Sequence, residues 1–240
     1  MKSPFITTLM AIALSMTTSH AVIHSGSLGS PGALLLDGTT PDGTLFGTEE
    51  WQTGATFTWS ASNEESGCDS WYYTYTLRVL GKDISHATTE VSSTFEASNL
   101  LGDINDPGNI LSDGSLDLYG PGLHGSSDPS IPDNMYGIKV DTTGDTKIIT
   151  WSLCSNRVPV WGDMYAKDGK SKGADVYLYN TGFTANDVDP TDPASSGSVN
   201  NHILVPNSIG DDPEGPGIPE PSTAVLGAVG LLLILRRRMI

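Results

Sequence analysis

Basic residues are scarce in this sequence. It has 12 lysines and arginines against 28 aspartates and glutamates, which gives a formal net charge of −16 at neutral pH. Such an acidic surface repels the phosphates of nucleic acids and the headgroups of anionic lipids. We therefore expect no nucleic-acid partner, although an acidic surface can attract divalent cations.

Catalytic motifs are also missing. The chain has no Gly-x-Ser-x-Gly elbow, no His-Glu-x-x-His pair and no glycine-rich phosphate loop. The four histidines beyond the N-terminal segment stand alone, as surface or loop histidines commonly do: His24, His86, His124 and His202. Paired carboxylates for a secreted hydrolase could be chosen in many ways from so many acidic residues. The sequence thus predicts a protein that is not an enzyme.

Helical periodicity is absent as well, because no stretch within residues 22–219 keeps an i, i+3, i+4 apolar pattern over three turns. Short alternating segments separated by Gly, Asp, Asn, Ser and Pro clusters predict strands instead. The clearest strands are 56–60, 71–80 and 148–153, and further strands are expected at 87–93, 116–119, 136–140, 158–164, 175–179 and 201–205. We predict an all-β fold, a single antiparallel β-sandwich or jelly-roll-like domain over residues 22–207.

The N-terminus has the features of a signal peptide. Lys2 provides a positive charge, residues 5–16 are mostly apolar, and small residues precede and follow His20. This arrangement predicts a signal helix over residues 1–21 that signal peptidase removes between Ala21 and Val22. The mature chain would then lie outside the cytoplasm.

The C-terminus combines three segments. Pro219, Glu220 and Pro221 form a stiff, extended motif, residues 222–235 are uncharged and apolar, and Arg236, Arg237 and Arg238 follow. A helix over those 14 residues would span roughly 21 Å, less than the roughly 30 Å of a bilayer core. The arginines are expected to stay on the cytoplasmic side. We predict a short transmembrane-like helix that anchors the chain only transiently, after a disordered linker over residues 208–218.

This order of segments over residues 219–240 closely resembles the PEP-CTERM sorting signal of exported bacterial proteins. The resemblance implies processing by an exosortase-type protease, transient anchoring in the inner membrane, and a final place in the cell envelope or outside the cell. It also implies exopolysaccharide as a partner. Residues 155–169 resemble a segment of uncharacterised members of the same group, which supplies no activity. Within that segment, Asp168 and Gly169 are predicted to form a hairpin turn.

Two cysteines, Cys68 and Cys154, occur in the chain, separated by 86 residues. An oxidising compartment favours a disulfide between them, whereas the alternative is two unpaired thiols. Neither cysteine has a second Cys or a His at ligand spacing, so we expect no zinc site.

A weak calcium motif surrounds Asp103, Asn105 and Asp106. The segment is similar to the opening of an EF-hand loop. It departs from that pattern because Pro107 occupies the third ligand position and Gly114 the twelfth. We therefore assign no metal ligands and expect no cofactor, with calcium at these three residues as the alternative.

The aromatic residues offer one further clue. Trp71, Tyr73 and Tyr75 alternate in phase with Leu77, which predicts that they belong to the core. We expect Tyr72 to face outward. In the segment 175–179, one of two alternating pairs is also expected to face outward, either Tyr177 with Tyr179 or Val176 with Leu178. We expect a non-enzymatic surface or matrix protein with a structural or adhesive role. The alternative is a carbohydrate-binding module that acts on exopolysaccharide.

Overall fold

Antiparallel strands account for nearly all regular structure in the computed structural model, which describes residues 22–65, 67–112, 114–124, 128–185 and 196–206. The strands are β1 (Ile23–Gly29), β2 (Leu45–Gly47), β3 (Thr56–Ser62), β4 (Trp71–Arg78), β5 (His86–Glu90), β6 (Ser115–Tyr119), β7 (Met135–Asp141), β8 (Ile148–Ser155), β9 (Pro159–Gly162), β10 (Met164–Ser171), β11 (Ala174–Asn180) and β12 (Ile203–Pro206). Two short 3₁₀ turns, Glu49–Trp51 and Ala97–Asn99, are the helical segments of this described part. The all-β, antiparallel prediction is confirmed.

The strands form two main sheets and a two-stranded ribbon. The first sheet has the order β1-β3-β4-β8, the second has the order β2-β11-β10-β5-β7-β6, and β12 pairs with β9. Apolar residues from both sheets and from the ribbon join in a single buried cluster. The architecture is therefore sandwich-like, with two inner faces that share one core.

Side-chain alternation explains which residues of the four-stranded sheet are buried. Along β4, Trp71, Tyr73, Tyr75 and Leu77 are buried, whereas the residues between them are half-exposed. Tyr75 lies beside Trp151 of β8, with 5.3 Å between ring centroids. The prediction that these aromatic residues belong to the core is confirmed.

The sequence does not predict strand β1, because the segment is rich in glycine and serine. It pairs with β3 along its whole length, and Gly26 lies directly opposite Trp59. A side chain at Gly26 would collide with the Trp59 ring. The glycine that weakens the strand signal in the sequence is thus the residue that makes room for a buried tryptophan.

The predicted strand 158–164 and the predicted hairpin turn at Asp168 and Gly169 need correction. The chain breaks at Asp163 into β9 and β10, and β10 continues through Asp168 and Gly169 with a register shift between Lys167 and Lys170. The turn between β10 and β11 lies at Lys172 and Gly173, whose φ angles are +49° and +93°. Two consecutive positive φ angles are typical of a two-residue hairpin turn, and Lys172 and Gly173 have them.

The terminal predictions lie largely outside the described residues. This applies to the signal helix, Ala21, the linker 208–218 and the tail from Pro219 to Arg238. Val22, the predicted first mature residue, is half-buried, and its N–H donates to the Asn63 side chain at 3.0 Å. Within the described ranges, no helix has the length and apolar character needed to cross a bilayer.

Candidate functional site

A group of aromatic rings, one exposed and two half-buried, lies on the outer face of the six-stranded sheet. Phe46 of β2 and Tyr177 and Tyr179 of β11 form it, and we call these three residues the aromatic patch. Ring centroids are 5.0 Å apart for Phe46 and Tyr179, 6.2 Å for Tyr177 and Tyr179, and 6.3 Å for Phe46 and Tyr177. The three rings therefore form a compact triangle near one edge of the sheet.

The alternation of β11 decides which of its residues face outward. Val176 and Leu178 are fully buried in the core, so Tyr177 and Tyr179 project to the other side. Phe46 is paired with Tyr179 across the two strands and is 43% exposed. The sequence left two arrangements of β11 open, and the structure selects the one with outward tyrosines.

The patch combines apolar ring surface with polar edges. Burial, followed by the proximity of Tyr177, raises the pKa of the Tyr179 hydroxyl, which therefore stays protonated at physiological pH. Protonated phenols donate and accept hydrogen bonds, and ring faces attract C–H groups and apolar edges. Such a surface suits a ligand with an apolar face and hydroxyl groups around it.

Tyr72, the other outward candidate, lies on the opposite side of the sandwich. Its side chain is half-exposed on the outer face of the four-stranded sheet, and its hydroxyl accepts a hydrogen bond from Asn105 at 3.4 Å. Neighbouring outward residues are serines and threonines, such as the hydrogen-bonded pair Thr74 and Ser152. Tyr72 therefore stands apart from the aromatic patch.

A second apolar cluster adjoins the patch on the same outer face. Tyr177 and Tyr179 pack against it, and its buried members are Tyr119, Ile131, Met135, Tyr165 and Phe183. The ring centroids of Tyr179 and Phe183 are 6.2 Å apart at an edge-to-face angle of 77°. The aromatic patch is thus the partly exposed margin of a larger apolar surface that other residues cover.

Three of the four histidines are buried, which corrects the prediction that they are surface or loop residues: His24, His86 and His202. His86 Nε2 lies 2.9 Å from Asp128 Oδ1, and both side chains are almost fully buried. Their separation of 42 residues explains why no local sequence pattern pointed to this pair. Among the described histidines, only His124 is partly exposed, with 32% of its side-chain surface accessible.

A second buried polar group is centred on Asp163, which lies between β9 and β10. Asp163 Oδ1 accepts hydrogen bonds from His202 Nδ1 at 2.9 Å and from the Asn180 amide at 2.5 Å. The Asp163 backbone N–H donates to the Glu90 carboxylate at 2.9 Å. These contacts fasten the segment just before β12 to β11 and β5, so they hold the ribbon against the six-stranded sheet.

The structure joins Cys68 and Cys154 in a disulfide, with their Cα atoms 5.7 Å apart. Both residues are buried. Cys154 lies on β8 opposite Tyr72, and Cys68 precedes β4 in the connection from β3. The bond therefore fixes this connection against the edge of the four-stranded sheet.

Two of the three candidate calcium residues, Asn105 and Asp106, are engaged in hydrogen bonds within the protein. The Asp106 carboxylate accepts backbone N–H bonds from Gly108, Ile110 and Leu111 at 3.0, 2.5 and 2.6 Å. The backbone of Asn105 pairs with Ser152 of β8. Asp103 and Asp106 line a cavity of about 340 Å³. Among the described residues, no group of three or more His, Cys, Asp or Glu side chains is arranged to hold a metal ion.

No protein-family model, curated protein or solved structure has a significant match to this chain. Among the described residues, the aromatic patch is a partly exposed cluster of side chains with the chemistry of a binding surface.

Proposed function

We propose that this chain is an exported, non-enzymatic protein of the cell surface or extracellular matrix that adheres to polysaccharide through the aromatic patch. The triangle formed by the exposed Phe46 and the half-buried Tyr177 and Tyr179 carries the proposal. A pyranose ring has an apolar face of C–H groups and a rim of hydroxyls. Aromatic ring faces can contact the C–H groups, and tyrosine hydroxyls can form hydrogen bonds with the sugar hydroxyls. This observation favours an adhesive role with a carbohydrate partner over a purely structural one.

The charge of the protein limits which polysaccharides it can bind. The chain carries a formal net charge of −16, and Lys2 and the three terminal arginines lie in the segments assigned to export and sorting. The domain between them is more acidic still, so a polyanionic polymer would be repelled. We therefore propose a neutral polysaccharide as the partner.

The adhesive proposal predicts a loss of binding when the patch is removed. Replacing Phe46, Tyr177 and Tyr179 together by alanine is expected to weaken retention by a neutral polysaccharide at least about tenfold, roughly 1.4 kcal/mol. Affinity electrophoresis of the exported protein through gels that contain a neutral β-glucan, a galactomannan or exopolysaccharide from the source cells, with and without calcium, measures the effect.

Tyr72→Ala is the matched control, because it removes a tyrosine from the opposite outer face and should leave the retention unchanged. Equal retention of the triple variant and the unmodified protein, or no retention on any of these polymers, contradicts the adhesive proposal. Circular dichroism of each variant verifies that the sheets remain folded.

Sorting by the C-terminal tail is the second part of the proposal. The order of Pro219-Glu220-Pro221, the apolar run and three arginines supports it, as does the signal-peptide pattern that ends at Ala21. Signal peptidase would process one end and an exosortase-type protease the other, after a transient stay in the inner membrane. The domain would then remain in the envelope or outside the cell.

Processing at both ends predicts a specific mass. Protein isolated from its native cells is expected to begin at Val22 and to lack the residues beyond the Pro219–Pro221 motif. Intact-mass spectrometry with N-terminal sequencing makes the measurement, and protein from cells without the sorting protease serves as the control. A mature protein that keeps Arg236, Arg237 and Arg238 would contradict the sorting proposal.

A further inference from the structure

A short segment covers the apolar surface beside the aromatic patch. Residues 128–134, which we call the strap, lie over the outer face of the six-stranded sheet, where Ile131 is 2% exposed within the second apolar cluster. Tyr165 and Met135 lie in the same cluster and are fully shielded from solvent or nearly so. The strap therefore helps to cover an apolar surface whose partly exposed margin is the aromatic patch.

Two polar contacts fix the strap to the sheet. His86 Nε2 of β5 donates to Asp128 Oδ1 at 2.9 Å, and the Tyr165 hydroxyl of β10 donates to the Pro129 carbonyl oxygen at 2.8 Å. The His86 and Tyr165 rings also lie close together, with 6.2 Å between their centroids. The strap is thus held at one end by a titratable pair.

The strap also contains two energetically unfavourable features. Asp128 Oδ2 is buried and has no hydrogen-bond partner among the described residues, which is unfavourable for an ionised carboxylate. Ser130 has a φ of +58°, a conformation that is uncommon for residues other than glycine. These features make the strap easier to detach than the strands beneath it.

We propose that acidification detaches the strap and joins the surface beneath it to the aromatic patch. The detached state would expose Tyr165, Tyr119, Met135 and Phe183 next to Tyr177 and Tyr179, and so enlarge the outer apolar face. The link to polysaccharide adhesion rests on the proposed function, whereas detachment of the strap does not.

The direction of the pH dependence follows from the groups around His86. Burial lowers the pKa of His86, and the positive charge of Lys139 adds to this effect, while Asp128 and Asp141 oppose it. Asp141 Oδ1 of β7 lies 3.9 Å from His86 Nδ1, and Lys139 Nζ lies 3.1 Å from that same carboxylate. Lys167 of β10 is the register partner of His86 on the other side. The closed state therefore favours a neutral imidazole.

The pKa of Asp128 is also lowered in the closed state, so it adds to the effect of His86 on the pH dependence. Burial alone would raise the pKa of its carboxyl, but the hydrogen bond and charge of His86, together with Lys139 and His124, bring the pKa below its usual value. With both pKa values lower in the closed state, closing releases protons and acid favours opening. The strap should be fully held above the ordinary imidazole pKa of about 6.5, and should be lost progressively as the pH falls through the lowered pKa of His86.

The test is a pH titration of the mature exported protein without polysaccharide. Between about pH 7.5 and about pH 5, binding of the dye ANS is expected to rise severalfold as apolar surface appears, while far-ultraviolet circular dichroism stays constant. In His86→Gln, an amide can still donate to Asp128 but cannot take up a proton, so the rise should disappear. His124→Gln is the control, since this partly exposed histidine hydrogen-bonds to the Leu118 carbonyl and has the smallest effect of the named groups on the pKa of Asp128, so its variant should keep most of the rise.

An unchanged transition in His86→Gln, or loss of the sheet signal together with the rise in dye binding, overturns the proposal. If His86→Gln does not fold, the test is a pH titration of the unmodified protein monitored by nuclear magnetic resonance. Titration of His86 without a matching change in the Tyr165 and Ile131 signals would then reject it. Polysaccharide retention at the same two pH values is measured separately, so a failure of the adhesive proposal is distinguishable from a failure of the strap.

Discussion

Replacing Asp163 by alanine is expected to lower the free energy of unfolding by about 3–5 kcal/mol. The Asp163 carboxylate accepts hydrogen bonds from His202 and from Asn180, and all three residues are buried. Removal of the carboxylate leaves two buried donors without this acceptor, in a region where water cannot easily replace it. The loss should loosen β12, because His202 directly precedes that strand.

Asp168→Ala is the matched control for Asp163→Ala. Asp168 lies within β10, five residues after Asp163, and makes a long contact of 3.9 Å with Lys82 near the surface. Partly exposed ion pairs of this kind contribute about 0–1 kcal/mol. Urea unfolding followed by tryptophan fluorescence compares the two variants. A change in Asp163→Ala no larger than that in Asp168→Ala would mean that the buried group does not hold the ribbon in place.

Strands with strict alternation could be predicted from the sequence. In β4 the residues Trp71, Tyr73, Tyr75 and Leu77 alternate with more polar or outward residues, and the structure places them on the inner face as expected. In β8 the same holds for Ile149, Trp151 and Leu153. Period-two burial is a local property of a strand, so a single sequence carries the signal. Strands without that pattern, such as β1 with Gly26 and β2 with only Leu45–Gly47, depend on their partners instead.

The polar pairs of the interior could not be predicted, because their partners are distant in the chain. His202 meets Asp163 across 39 residues, and His86 meets Asp128 across 42. An isolated histidine in a sequence looks like a surface residue until the fold brings a carboxylate to it. The same limit applies to the aromatic patch. Tyr177 and Tyr179 were candidates from alternation alone, whereas Phe46 joined them only through the pairing of β2 with β11.

Removing the Cys68–Cys154 disulfide is expected to lower the free energy of unfolding by roughly 4 kcal/mol. Without the bond, the unfolded chain has more conformational entropy than the cross-linked unfolded chain. The two sulfurs close a loop with a sequence separation of 86, which lies in the range where the chain-entropy effect is large. Cys68→Ala combined with Cys154→Ala makes the change, and urea unfolding of the oxidised protein provides the reference. Alanine avoids the buried hydroxyl that serine would introduce at these sites.

The unmodified protein with reductant is the control for this variant, and the two should unfold at similar urea concentrations. If the oxidised and reduced proteins unfold at the same urea concentration, the disulfide does not stabilise the fold by constraining the unfolded chain. The result also bears on export, because disulfides form and persist in oxidising compartments and are rare in the cytosol. Protein taken from native cells should therefore contain no free thiol at Cys68 or Cys154. Free thiols there would contradict both the bond and the proposed route out of the cytoplasm.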